Sequence, residues 1–335
     1  MRTTRIKKAQ RGMALLAAAF ALGLGLGVVR ADAQDDSTGR FSFEIFGGIQ
    51  GFDPRDLNLR AESDTIVQLF QFDSFLDYRL NQGYIENWQR SQGGTRGRIE
   101  IGIPAGFRLK CRVAGSLSIS LGLSYFRGGR SSDLLFEYDS IDTLGFQNKE
   151  FLTYAPYSLS LSAWMPRLGL HYEHRLGAKW SLEGMIAGGP IFASCRTQSV
   201  LNYSWHVVGQ DYDWPTFSQD VSLEEEGTGT ALGLEAAARL NFRLAARWGL
   251  FLSAGYAYQK IGSISGEGTE IRDGITRTWE GAWAIKRDLM AAPWGELPID
   301  YPTADWPAGS SGQRVRDFVL DLSGFQLTLG AVYRF

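Results

Sequence analysis

The chain ends Phe325-Gln326-Leu327-Thr328-Leu329-Gly330-Ala331-Val332-Tyr333-Arg334-Phe335. Apolar side chains take every odd position. Gln326, Thr328, Gly330 and Arg334 take the even ones, with Val332 the exception. A period of two describes an extended strand with two unlike faces, one apolar and one polar. The stretch stops on an aromatic residue with no polar tail, so its apolar face needs cover along its whole length.

Seven more segments repeat the alternation: Phe41–Gln50, Arg98–Leu109, Ser116–Phe126, Ala163–His174, Trp180–Phe192, Thr230–Leu244 and Trp248–Gln259. Ile99, Ile101, Ile103 and Phe107 oppose Glu100 and Arg108, and Leu117, Ile119, Leu121 and Leu123 oppose four serines and glycines. Two segments break phase. One does so near Pro166, which predicts a bulge, and the terminal one slips at Ser323-Gly324 after starting near Phe318. The connections alternate in length. Arg112–Gly115, Arg175–Lys179 and Ala245–Arg247 are short, whereas Gly51–Gly97, Arg127–Ser162, Ala193–Gly229 and Lys260–Asp317 are long. Short turns at one end and long loops at the other describe an up-and-down meander with an even strand count and both termini on one side. The expected fold is therefore all-β: a closed antiparallel up-and-down transmembrane β-barrel of eight strands, with short periplasmic turns and long extracellular loops. A loop hairpin such as Thr276–Lys286 would raise the count to ten.

The N-terminus fits export. Arg2, Arg5, Lys7, Lys8 and Arg11 precede an apolar run from Met13 to Val29, and Ala31-Asp32-Ala33 matches a signal peptidase site. Residues 1–33 read as a signal peptide cut after Ala33, and 34–40 as a short lead into a barrel over 41–335. The alternative, an uncleaved anchor, has a short run holding three glycines. Without residues 1–33 the chain carries 28 basic and 35 acidic residues, a net of −7. That charge, with no basic patch, argues against a nucleic-acid partner. No later apolar run is long enough for a membrane helix.

The pattern resembles that of small bacterial outer-membrane β-barrel proteins, of the OmpA transmembrane-domain or OmpW type. The resemblance covers Phe41–Phe335 and is specific at the two ends. It implies residence in the outer membrane, lipid contact, and recognition of the terminal aromatic strand, with Tyr333 and Phe335 as the assembly signal, by the barrel assembly machinery. It departs from OmpA in lacking a peptidoglycan-binding domain. Trp180, Trp248, Tyr333 and Phe335 fall near the expected periplasmic rim, and Tyr125, Tyr256 and Tyr258 near the outer rim.

Candidate functional residues follow from the faces. Glu44, Glu100, Arg108, Arg167, His171, Glu173, Glu183, Glu235, Arg239 and Arg243 alternate to the interior. An eight-stranded barrel is narrow enough for side chains to fill it, so these charges are expected to pair into a plug. The competing reading is an ion path or gate. His171 and His174 are three apart on a strand and point to opposite faces, so they do not share a metal. His206 with Asp211 and Asp213 is similar to a His/Asp group of outer-membrane proteases, but solvated loop residues explain it better. No serine pairs with a histidine at a shared depth, and no phosphate loop, dinucleotide fingerprint or zinc spacing appears. No catalytic residue, metal or cofactor is expected. Cys111 at a short turn and Cys195 at a far strand end are too distant for a disulfide. The expected role is structural or surface-interacting, with the long loops meeting an extracellular ligand. The alternatives are a transport barrel for small or hydrophobic solutes, opening laterally near Pro166 or Pro190, and an outer-membrane hydrolase or acyltransferase.

Overall fold

A computed structural model describes residues 40–58, 76–95, 99–142, 147–208, 217–272, 274–292, 295–304 and 312–335. The expectations for residues 1–33, and for Asp211 and Asp213, fall outside them. Among the described residues there are fourteen strands: β1 Phe41–Gly51, β2 Ile85–Thr95, β3 Ile101–Ala114, β4 Leu117–Asp142, β5 Gln147–Arg175, β6 Trp180–Val208, β7 Phe217–Arg243, β8 Trp248–Ile261, β9 Ser265–Arg272, β10 Ile275–Ala292, β11 Gly295–Ala304, β12 Gly312–Asp317, β13 Leu320–Asp321 and β14 Gly324–Arg334.

Eight of them form a ring. Antiparallel pairing runs β1-β3-β4-β5-β6-β7-β8-β14 and returns from β14 to β1. The closing pair is in register from Ser42 opposite Arg334 to Gln50 opposite Gln326. Phe335 adds a bond from its N–H to the Phe41 carbonyl at 3.0 Å. The terminal strand therefore pairs with the first segment, and its backbone groups find partners on both sides.

The four central strands outrun the ring. β4, β5, β6 and β7 are 26, 29, 29 and 27 residues long. The stretches between them that read as loops are continuations of the same ladders. β2 joins the far part of β4, and β9 joins β7 over Val221–Thr228, where β8 has already left it. β10 to β12 extend that wall, so the Thr276–Lys286 hairpin belongs to the extension and the ring keeps eight members.

Both expected phase breaks are corrected. Around Pro166 the β4–β5 register is unbroken from Leu117 to Ser132. Against β6 the register on both sides of the proline is the same, with Trp164 opposite Phe192 and Leu168 opposite Gly188. There is no bulge at Pro166; pairing across 165–167 lapses and then resumes. Likewise Leu320 pairs with Ile261, and Gly324 resumes with Ala257 in the same register. What changes at both places is which face is apolar. Along β5, Leu168, Leu170 and Tyr172 are exposed while Arg167 and His171 are buried. Further up, Leu159, Leu161 and Ala163 are buried and Ser160 is exposed. At the C-terminus, Phe318, Leu320 and Leu322 are buried, whereas Phe325, Leu327 and Leu329 are exposed. An inversion of polarity on a continuous strand reads in sequence as a slip of one residue.

β6 and β7 invert too. Trp180, Leu182 and Ile186 face outward below and Arg196 and Gln198 above, while Glu183 is buried below and Ile191, Ala193 and Cys195 above. Leu232, Leu234 and Leu240 face out at the lower level of β7, and Glu226, Thr228 and Thr230 at the upper level. The buried apolar cluster lies in the upper part and includes Phe126, Phe136, Tyr138, Leu161, Ile191, Ile264, Trp283 and Phe318. The helical turn at 55–58 contributes Leu57 to it, and Leu76 starts a second turn.

Candidate functional site: the buried charge cluster

Below the apolar cluster, the inward positions of the ring carry charge. Glu44 on β1 and Arg108 on β3 are opposite one another, and Glu183 on β6 is opposite Arg239 on β7. Strand alternation aims all four inward, and each is at least 94% removed from solvent. Arg239 joins the two halves. Its Nη2 donates to Glu44 Oε2 at 3.0 Å and its Nη1 to Glu183 Oε1 at 2.8 Å. Its guanidinium carbon also lies 3.9 Å from the centre of the Phe251 ring. Arg108 Nη1 reaches Glu44 Oε2 at 3.4 Å. Lys110 Nζ donates to Glu183 Oε2 at 2.6 Å, and Asn241 Nδ2 to the same oxygen at 3.2 Å. Glu183 thus meets three cationic or polar donors, which is the kind of satisfaction a buried carboxylate requires.

His171 completes the cluster. Its Nδ1 lies 2.6 Å from Glu183 Oε1 and its Nε2 2.7 Å from Ser120 Oγ. A ring proton on Nδ1 satisfies both contacts, with the serine hydroxyl donating to Nε2. The expectation that no serine meets a histidine is corrected. Ser118 is the register partner of His171, whereas Ser120 sits opposite Gly169. A Cβ at residue 169 would lie 2.6 Å from Ser120 Oγ and 3.1 Å from His171 Nε2, so the missing side chain makes room for this diagonal contact.

Ser–His–Glu is the order of a nucleophile, its base and an orienting carboxylate. Here the serine is buried, and the carboxylate is already held by Lys110 and Arg239. The nearby cavity does not reach Ser120. In this arrangement the serine caps a hydrogen-bond relay.

The remaining expected members separate. Glu173 is half-buried at the lower end, where Ser181 Oγ donates to it at 2.5 Å and Arg112 stands 3.9 Å away. Arg243 turns to the carbonyls of Ala245 and Ala246 in the adjoining turn and leaves the cluster. Glu100 is exposed: it precedes β3, and its carbonyl accepts from the Phe52 N–H at 3.0 Å. Its neighbour Ile99 is buried in the apolar cluster, so the alternation assigned there starts at Ile101. Arg167 and Glu235 line a common cavity and attract one another across it without closing to a salt bridge. Lys110 is the member that the sequence reading lacks. It continues the even face two residues beyond Arg108, and ending the segment at Leu109 hid it.

His174 is exposed while His171 is buried, as opposite faces require. His206 lies in the upper part of β6, in register with Lys149. Both cysteines are free thiols, Cys111 half-buried and Cys195 buried.

The exterior carries aromatic pairs at two levels. Trp180 meets Phe242 at 4.5 Å between ring centres, Trp248 meets Tyr333 at 4.9 Å, and Tyr333 meets Phe335 at 5.2 Å near the short turns. Tyr125 meets Trp164 at 4.6 Å and Tyr256 meets Phe325 at 5.1 Å toward the other end.

This ring and its inward charges define an all-β antiparallel protein, and the comparisons with known proteins go little further. No protein-family profile and no curated protein matches the chain. Among solved structures it is similar to the crystal structure of the outer membrane protein OprG from Pseudomonas aeruginosa, with 10% identity, 90% of this chain and 99% of that one covered, and a TM-score of 0.33. A likeness at that level carries no argument about role.

Proposed function

We propose that the chain is an integral outer-membrane β-barrel protein whose interior is sealed by paired charges and whose tall outer wall serves in contacts outside the cell. One observation carries the reading: polarity inverts along continuous strands. Around the ring the outside is mainly apolar and the inside charged, and above it the outside is mainly polar and the inside mainly apolar, with Thr197, Glu225 and Glu270 as buried exceptions. Leu168 is 66% exposed, Ile186 64% and Leu232 78%. In water such a belt would be a large uncompensated hydrophobic surface, whereas in lipid it is the required one. From Trp180 to Phe192 the belt rises roughly 30 Å, at ordinary strand rise and tilt, close to a bilayer core. The aromatic pairs at its two edges fit the interfaces.

On this reading the ring is the transmembrane barrel, residues 1–33 are removed during export, and Tyr333 and Phe335 are the signal for the assembly machinery. The partners are membrane lipids and an extracellular ligand met by the wall built from β2 and the upper parts of β4 to β7, β9 and β10.

The test is two-fold. The protein is expected in the outer-membrane fraction, in a folded form that resists detergent until heated. It is expected to give no steady conductance in planar bilayers. Recovery in the soluble periplasm would overturn the membrane reading, and reproducible channels the sealed interior. A second reading, passage of small hydrophobic solutes through the wall, is favoured by the lapse of β5–β6 pairing across 165–167. It predicts uptake that is lost when Cys replacements at Trp164 and Phe192 are crosslinked.

A further inference from the structure

Between the charge cluster and the apolar cluster lies a cavity of about 20 Å³ lined by Arg108, Arg167, Glu235, Arg239, Ser253 and Thr328, among others. Arg167 projects to it and is 4% exposed. Its Nη2 contacts only Met165 Sδ, at 3.1 Å, a weak acceptor. Its Nε and Nη1 are buried and without a hydrogen-bond partner. A guanidinium this buried with open N–H groups is strongly unfavourable unless something in the cavity accepts from it.

We propose that this cavity is a binding site for a small monatomic anion of the chloride class, held by Arg167 with Arg108 behind it. Charge points to an anion. Among the described residues around the cavity and the cluster beneath it, four buried cations, Arg108, Lys110, Arg167 and Arg239, face two buried carboxylates, Glu44 and Glu183, and the third acid, Glu235, is half-buried. Even with Glu235 counted this group holds one more positive charge than negative, in a medium that screens poorly. Size points to a single atom. At about 20 Å³ the cavity suits a small ion better than phosphate or sulfate. Glu235 attracts Arg167 across the same lining and opposes an anion there, so it sets the affinity from the other direction.

The test is a crystal structure of the full-length protein's folded form, purified from membranes, with bromide replacing chloride. An anomalous peak is expected in the cavity within reach of Arg167 Nε and Nη1. Its occupancy is expected to fall at least fivefold in Arg167→Gln. In Glu235→Gln, which keeps all the cations, half-occupancy is expected at a bromide concentration several-fold lower. Water in the cavity with no anomalous signal would overturn the proposal. So would a peak that Arg167→Gln leaves unchanged. Should Arg167→Gln not fold, an unchanged bromide dependence in Glu235→Gln overturns it equally.

Discussion

The lower and upper halves of the same strands solve opposite problems. In the lower half the outer positions are leucine, isoleucine and aromatic residues, and the inner ones are Glu44, Arg108, Lys110, His171, Glu183 and Arg239. In the upper half Phe126, Leu161, Ile191 and Trp283 point in, while serines, threonines and charges point out. A strand that was apolar on both faces would have no preferred register, because a shift of one residue would cost it nothing. The charged interior below restores that preference where the outside is apolar. Above, the ordinary inside-apolar rule does the same work. The upper half is also closed by side chains of the chain's own turns. Asp56 takes two bonds from Arg316, at 2.5 and 2.6 Å, and one from the Val319 N–H at 2.8 Å. Asn58 bonds to both backbone groups of Ile99.

Changing Glu183 to Leu tests the lower half most severely. It takes the shared carboxylate from Lys110 and His171 and leaves Arg239 with Glu44 alone, and unfolding in detergent or lipid should show a loss of about 3–5 kcal/mol. Phe126→Ala is the matching change above and should cost about 3–4 kcal/mol in the same assay. Equal sensitivity to urea for both variants would indicate one cooperative unit, and separate transitions two. Ile186→Arg separates the halves by environment: a loss of about 2–4 kcal/mol is expected in bilayers if lipid covers that position. A negligible effect there would break the comparison, since it would put water against the belt. Asp56→Ala should cost about 1–2 kcal/mol, because Arg316 is partly exposed and stays hydrated. Its clearer effect should be faster proteolysis near residues 55–58. Arg196→Ala, which removes an exposed pair with Glu224, should change stability by less than about 1 kcal/mol.

The ring was legible because its signal is strictly local. Eight alternating segments and the contrast of short and long connections are enough to order strands that pair with their neighbours in sequence. The upper wall was not legible as strand, because alternation with reversed polarity cancels the pattern. The apparent faults at Pro166 and Ser323 are places where that reversal falls inside one segment. The charged side chains were legible as a face, but their partners were not. Which strand Arg239 spans to depends on ring diameter, and the Ser120–His171 contact depends on the absence of a side chain at Gly169, one strand away in register. Glu100 and Arg243 show the converse. Each satisfies the alternation at a strand end, where the chain has already turned away from the interior.

The polarity inversion also acts as a depth gauge. Because the register runs unbroken through it, the boundary between apolar and polar exteriors is fixed to particular residues: Leu168 below and Ser162 above on β5, Ile186 below and Ser194 above on β6. On the proposed membrane placement, sliding the molecule along the bilayer normal by two residues would either draw serines and threonines into hydrocarbon or push leucines into water. A bilayer a few ångströms thicker or thinner than the belt should therefore strain the lipid rather than the protein, and the chain should favour membranes whose thickness matches.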